Sequence, residues 1–232
     1  MSAIANAEPV SLWWVALDAA QPGAGEPEAD LTPPERRRAD DFLRPLDRRR
    51  FVAARGALRR LLAGELGCAA DAVPLVADSR GKPGLAGTEL KLSASRSAGV
   101  ALFALSWTLE VGVDVEAIRE GVDIDRIAAK FFSAAERRAL AALPARQRRA
   151  AAFQCWTRKE AYAKGTGEGL ASSLGATDVG IGARSAIGSG WSVHQVDLAP
   201  GLAAAVAGSA AAGWSPQAPR RLETRAAPQP CG

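Results

Sequence analysis

The chain has 232 residues with 48% apolar content, enough to bury a sizeable core in one large domain or two small halves. Its net charge of +4, with arginine far outnumbering lysine, suits anionic partners: phosphate groups, acidic proteins or nucleic acid. Three widely spaced cysteines (Cys68, Cys155 and Cys231) argue against a disulfide framework or a CxxC zinc site, and no apolar run reaches signal-peptide or membrane-spanning length. A soluble, cytoplasmic protein without a membrane partner is expected. His194 is the single histidine, so a mechanism with a histidine base would rest on it alone; the residue reads as structural or exposed.

In chain order, Ser11–Asp18 reads as a strand, followed by a Pro/Gly/acidic loop to Asp30. Thr32 is a candidate N-cap, and Pro33 and Pro34 open a helix that carries Arg36, Arg37 and Arg38 to about Phe42. A second helix spans 47–67. Phe51, Ala54, Leu58, Leu61 and Leu62 share one face of it, while Arg48, Arg55, Arg59 and Arg60 fall largely off that face and read as solvated. Residues 78–84 form a turn cluster. Strands are expected at 89–94, 99–106 and 111–116, then a helix at 123–132 and a capping box of Ser133 and Glu136. Residues 146–164 are helical, with Gly165, Gly167 and Gly169 stopping the run. Strands at 177–182, 191–198 and 202–207 close the pattern, and residues 214–232 lack periodicity and read as a disordered tail. The sum is an α+β fold: two blocks of similar element order, 1–110 and 111–213, with antiparallel-type strands and helices.

Two stretches carry chemistry. In V-G-V-D-V-E, Asp114 and Glu116 are two apart on a strand, so their carboxylates share a face while Val113 and Val115 anchor the other. Such a pair suits a hard divalent cation, although alternation of Val with acidic residues is also the ordinary pattern of a half-exposed strand. In W-T-R-K-E-A-Y-A-K, Trp156, Glu160 and Lys164 share a helical face and Lys159 lies beside them. Alone, Glu160 and Lys164 are equally an ordinary surface pair worth a few tenths of a kcal/mol.

Together the motifs say more. G-V-D-V-E, F-F-S-x-x-E (131–136) and W-x-x-K-E-A-x-x-K-x-x-G-x-G-L, in this order and spacing, resemble the 4′-phosphopantetheinyl transferase superfamily. The length and the R-R-R-F-V-A-A-R-G-A-L-R helix look like its longer, pseudo-two-fold, monomeric branch of the surfactin-synthetase-activating type. The resemblance covers roughly residues 31–207. It implies an active site in the cleft between halves and transfer of 4′-phosphopantetheine from coenzyme A to a serine of an apo acyl or peptidyl carrier protein, releasing 3′,5′-ADP. It further implies Mg²⁺, with Mn²⁺ as the other candidate, at Asp114, Glu116 and Glu160. Glu160 matches the favoured general base, and Lys159 and Lys164 offset charge on the pyrophosphate and leaving group. Arg36, Arg38 and Arg50 lie where basic side chains of the family meet the 3′-phosphate, and Lys82 and Pro83 match a turn beside the adenine. The family's S-H-[ST] motif is absent. Ser95 and Arg96 stand nearest to it, with Arg96 favoured over Ala94 as the replacement for the histidine.

Rival readings are set aside on specific grounds. Gly165-Thr166-Gly167-Glu168-Gly169 follows a helix instead of opening one, so it is no dinucleotide loop. Cys155 reads as packing. A nucleic-acid partner is not expected, because aromatics are 6% of the chain and the arginines are spread. A non-catalytic coenzyme A or carrier-protein binding module is the alternative function, motivated by the missing histidine. Retention of Asp114, Glu116, Glu160 and both lysines argues for catalysis.

Overall fold

A computed structural model describes residues 10–18, 28–77, 83–167, 174–187, 190–210 and 214–222. Its elements are β1 (Ser11–Ala16), α1 (Pro33–Asp40), α2 (Pro45–Leu66), β2 (Leu75–Ala77), β3 (Pro83–Leu85), β4 (Lys91–Ser97), β5 (Val100–Ser106) and β6 (Val111–Ala117). There follow α3 (Ile124–Phe131), α4 (Ala134–Ala142), α5 (Ala145–Thr166), β7 (Arg184–Ile187), β8 (Trp191–Gln195), β9 (Leu202–Gly208) and β10 (Arg220–Arg221). The architecture is α+β, as expected, with two four-stranded sheets ordered β10-β1-β5-β4 and β6-β9-β8-β7 and a separate β2-β3 pair. Every pairing is antiparallel except β10 on β1. Among the described residues, no helix is long and apolar enough to cross a membrane.

The amphipathic pattern of α2 decides the first core. Leu58, Leu61 and Leu62 are buried against Leu92, Phe103 and Leu105 of the first sheet. Each such side chain contributes about 1.5–3 kcal/mol relative to exposure. A second core lies between the sheets, where Val111, Val113 and Val115 of β6 meet Leu12, Leu102 and Ala104. In the third, Cys155, Ala161 and Tyr162 of α5 pack on Val193, Ala205 and Ala207.

Several expectations are corrected by long-range contacts. Arg59 is not solvated: it is 3% exposed, bonded to Glu35 (2.6 Å) and to the carbonyl of Ala70 (2.8 Å). Residues 177–182 form no strand, because Val179 spends its N–H on the Glu136 carboxylate (2.8 Å) and its carbonyl on Arg158 (2.5 Å). Pro83 and Gly84, expected in a turn, belong to β3. Strand β4 runs on to Ser97 instead of stopping at Ala94. Residues 214–222 are not a disordered tail: Trp214 is buried in the inter-sheet core, and β10 pairs Trp13 with Arg220 and Trp14 with Arg221.

One crossing places the site. Val113 and Val115 face the inter-sheet core, so Gly112, Asp114 and Glu116 face the other way. A Cβ at Gly112 would overlap the backbone of Ala161 and Gly165, and a Cβ at Gly165 would overlap the Trp191 ring. Gly165 therefore does not end α5 as its composition suggests; the helix runs through it to Thr166 and is capped by Gly167 at φ 74°. Gly112→Ala must push α5 off β6, and chemical denaturation should register a loss of about 3 kcal/mol; a loss near zero would show that the crossing is not tight.

Candidate active site

The α5–β6 crossing brings Asp114, Glu160 and Lys164 together. Asp114 is 3% exposed and Glu160 8%. Asp114 Oδ1 accepts from Lys164 Nζ at 2.6 Å and from Ser95 Oγ at 2.7 Å. Its Oδ2 is buried with no hydrogen-bond partner among the described residues. Glu116, the third carboxylate, accepts from Ser97 Oγ at 2.6 Å. Burial pushes the Glu160 carboxyl up to about 7, with the charges of Asp114 and Glu116 adding to the effect and Lys164 opposing it. Burial also raises Asp114, against the pull of Lys164 and Ser95.

Beside these groups lies a cavity of about 310 Å³, walled by Arg38, Phe51, Arg55, Pro83, Arg96 and Lys164. Three guanidiniums crowd one ring: the Cζ atoms of Arg38, Arg55 and Arg96 lie 5.7, 5.8 and 5.7 Å from the Phe51 centroid. Burial pulls the Arg55 pKa down, Glu35 opposes this, and the neighbouring Arg59, Arg38 and Arg96 lower it further. An anion in the cavity would relieve that crowding. Ala94, Ser95 and Arg96 of β4 all line the cavity.

Of the residues singled out from sequence, Arg38, Pro83, Ser95, Arg96 and Lys164 line this cavity. Asp114 adjoins Lys164 through the contact above, and Glu160 feels the charges of Asp114, Lys164 and Glu116. Three others are placed elsewhere. Arg36 is exposed and donates to the Glu28 carbonyl (3.2 Å). Arg50 makes a two-pronged contact with Asp18 (2.7 and 2.5 Å). Lys159 is corrected from site residue to internal brace: fully buried, its Nζ meets Glu136 (2.8 Å) and the carbonyls of Leu174 (2.6 Å) and Thr177 (2.7 Å). These acceptors saturate its three protons. Lys82 lies outside the described residues. Arg55, which matches a common family position with packing and phosphate contact both open to it, lines the cavity, as does Phe51, and Ser97 holds Glu116; sequence reasoning does not single out the last two. The F-x-x-x-R spacing on α2 and the alternating Ser93-x-Ser95-x-Ser97 on β4 are the signals that point to them.

The remaining motif positions are structural. Glu136 completes the expected capping box with Ser133 (2.7 and 3.1 Å) and also holds Val179 and Lys159. The Cys155 thiol is buried, and burial raises its pKa, which suits packing and not nucleophilic attack. His194 is buried against Trp214, with ring centroids 4.5 Å apart.

The donor set fits a hard cation in kind, and the partnerless Asp114 Oδ2 fits it in place. Among the described residues, however, no three acidic, histidine or cysteine side chains are drawn together as a ready metal cluster. An arginine-walled cavity lined also by Ser95 and Lys164, both of which hold the buried Asp114, is equipped for a phosphorylated substrate, by positioning and charge neutralisation. Residues 110–195 match the 4′-phosphopantetheinyl transferase superfamily. The chain is 36% identical over 216 residues to the 4′-phosphopantetheinyl transferase HetI of Nostoc sp. (strain PCC 7120), covering 90% of both. It is 33% identical over 150 residues to a protein of Synechocystis sp. (strain PCC 6803) provisionally named for the same activity, covering 63% of this chain and 61% of that one. The chain thus belongs to the 4′-phosphopantetheinyl transferase superfamily and is an enzyme of that class.

Two outcomes test this geometry. Lys159→Met leaves Glu136 buried without its cation and should lower stability by about 3–5 kcal/mol; a markedly smaller loss for Lys159→Met in a Glu136→Gln background, which keeps an acceptor for the Ser133 and Val179 amides, confirms the brace by chemical denaturation. For Glu160, a folded pKa near 7 against an ordinary 4.5 means that its stabilising protonation is present below pH 4.5 and lost as pH rises through 7. The fall in Tm from pH 5 to pH 8, measured in EDTA, should therefore be smaller in Glu160→Gln than in the unchanged protein.

Proposed function

We propose that the enzyme takes coenzyme A and moves its 4′-phosphopantetheine to the serine of an apo acyl or peptidyl carrier protein, releasing 3′,5′-ADP. The observation that carries this reading is the buried Glu160 carboxylate one helical turn from Lys164, whose ammonium is held by Asp114 and lines a phosphate-suited cavity. A carboxylate placed there is the candidate base for the serine proton. The serine oxygen forms a bond to the phosphorus on the pantetheine side, and the bond from that phosphorus to the bridging oxygen breaks, with the electron pair leaving on 3′,5′-ADP. Lys164, with its ammonium on Asp114, offsets charge at the pyrophosphate. Arg38, Arg55 and Arg96 take the substrate's phosphates, Arg96 standing where the family places histidine, so that contact keeps its charge at every working pH. Arg36 and Arg50 have no part in this reading.

Asp114, Glu116 and Glu160 would hold a divalent cation, Mg²⁺ or Mn²⁺, which when bound neutralises pyrophosphate charge. The carrier approaches over the apolar hollow of about 130 Å³ beside Glu116, lined by Val122, Ile124, Ile127, Phe153 and Trp156. In this reading the enzyme is a cytoplasmic monomer of the longer branch, its two blocks dividing near residue 110.

Intact-mass spectrometry of an apo carrier domain incubated with the enzyme, coenzyme A and Mg²⁺ should show the gain of one phosphopantetheine, abolished by EDTA. Glu160→Gln should slow transfer by about 10²–10⁴-fold with coenzyme A affinity nearly unchanged. Arg96→Ala should weaken coenzyme A binding by roughly tenfold or more, read by calorimetry; normal affinity would remove Arg96 from the phosphate site.

A further inference from the structure

Strand β4 ends one sheet and β6 ends the other. The bonds between them run through serine side chains. Alternation on β4 turns Ser93, Ser95 and Ser97 toward β6, where Ser93 Oγ accepts the Val113 N–H (3.0 Å) and Ser97 Oγ the Ala117 N–H (3.1 Å). The same side chains reach the acidic pair. Ser95 Oγ donates to Asp114 Oδ1 (2.7 Å), and Ser97 Oγ donates to Glu116 Oε2 (2.6 Å). Each hydroxyl has one proton. Ser97 accepts from a backbone N–H and Ser95 accepts from Lys164 Nζ (3.0 Å), so both protons are directed at the carboxylates.

We propose that Ser95 and Ser97 are positioning residues that hold one oxygen of Asp114 and one of Glu116, and thereby aim the other oxygens at a shared divalent cation. The proposal rests on the reading of these carboxylates as cation ligands. Asp114 shows the division: Oδ1 is taken by Ser95 and Lys164, while Oδ2 is buried and has no partner among the described residues. Because the serines belong to one sheet and the carboxylates to the other, the cation site is aligned only when the sheets are docked in this register. Ser93 provides the contrast, since it bridges the same strands through a backbone N–H and bonds no carboxylate among the described residues.

The test is Mn²⁺ binding to the full-length protein with coenzyme A present, titrated by electron paramagnetic resonance. Ser97→Ala and Ser95→Ala should each raise the Mn²⁺ dissociation constant about tenfold or more, the usual effect of losing a partner that orients a ligand. Ser97→Thr, which keeps the hydroxyl, should bind more tightly than Ser97→Val, which has the same shape without it. Ser93→Ala should bind Mn²⁺ as the unchanged protein does. Unchanged affinity in both Ser95→Ala and Ser97→Ala, with binding lost in Asp114→Asn, would overturn the positioning role and leave the cation reading standing. Equal weakening in Ser93→Ala and Ser97→Ala would also overturn it, by assigning the effect to a loosened seam. No Mn²⁺ uptake by the unchanged protein, with or without coenzyme A, would overturn both.

Discussion

Everything at this site depends on how closely α5 lies on β6. Gly112 leaves no side chain between strand and helix, so backbone meets backbone there, and Gly165 leaves none between the helix and the Trp191 ring. The two acidic positions that follow Gly112 on the same face of β6 then fall beside Glu160 and Lys164. A helix standing one side chain further out would separate the carboxylates, and Glu160 would return to an ordinary carboxylate. The glycines are the means by which a strand motif and a helix motif, distant in sequence, become one group of interacting charges.

Concentrating carboxylates in a buried place destabilises their ionised forms, and the fold offsets this unequally. Burial raises both Asp114 and Glu160; Lys164 and Ser95 hold Asp114 by hydrogen bonds, whereas Lys164 opposes the shift of Glu160 by its charge alone. The other buried acid, Glu136, is compensated in full: it takes the Ser133 and Val179 amides and the Lys159 ammonium. The K-E pair of the helix motif thus serves two different ends. Lys159 ties α5 to the start of α4 and to the 174–179 segment, while Glu160 turns toward β6. One neighbour is spent on rigidity, and the other is left chemically available.

Much of this was legible in the sequence where a local pattern decides the outcome. The apolar face of α2, the valine alternation of β6 and the Ser133–Glu136 cap all follow from near-neighbour chemistry and hold in the structure. What could not be read locally depends on distant partners. Lys159 sits one position from Glu160 on a helix buried almost all round from Thr157 to Ala163, so the wheel alone does not say which neighbour each side meets. The period-two signal at 177–182 fails because side chains of α4 and α5 take the bonds a strand neighbour would have taken. The family resemblance points to Arg50 at the phosphate, but Asp18, from the end of the first strand segment, claims it.

The parallel pairing of β10 with β1 has a bearing on how the chain comes to be folded. Strand β1 finds its neighbours in β5 and in β10, and the second of these is made only after all of the other sheet. Trp214, just before β10, joins the core shared by both sheets, and Arg220 and Arg221 lie over the rings of Trp13 and Trp14. A nascent chain on the ribosome therefore carries an open β1 edge, with two tryptophans beside it, until synthesis has passed Arg221. Contacts of such large sequence separation form late and slowly. The interval before they close is when this protein is most exposed to mispairing with another chain and most in need of a chaperone.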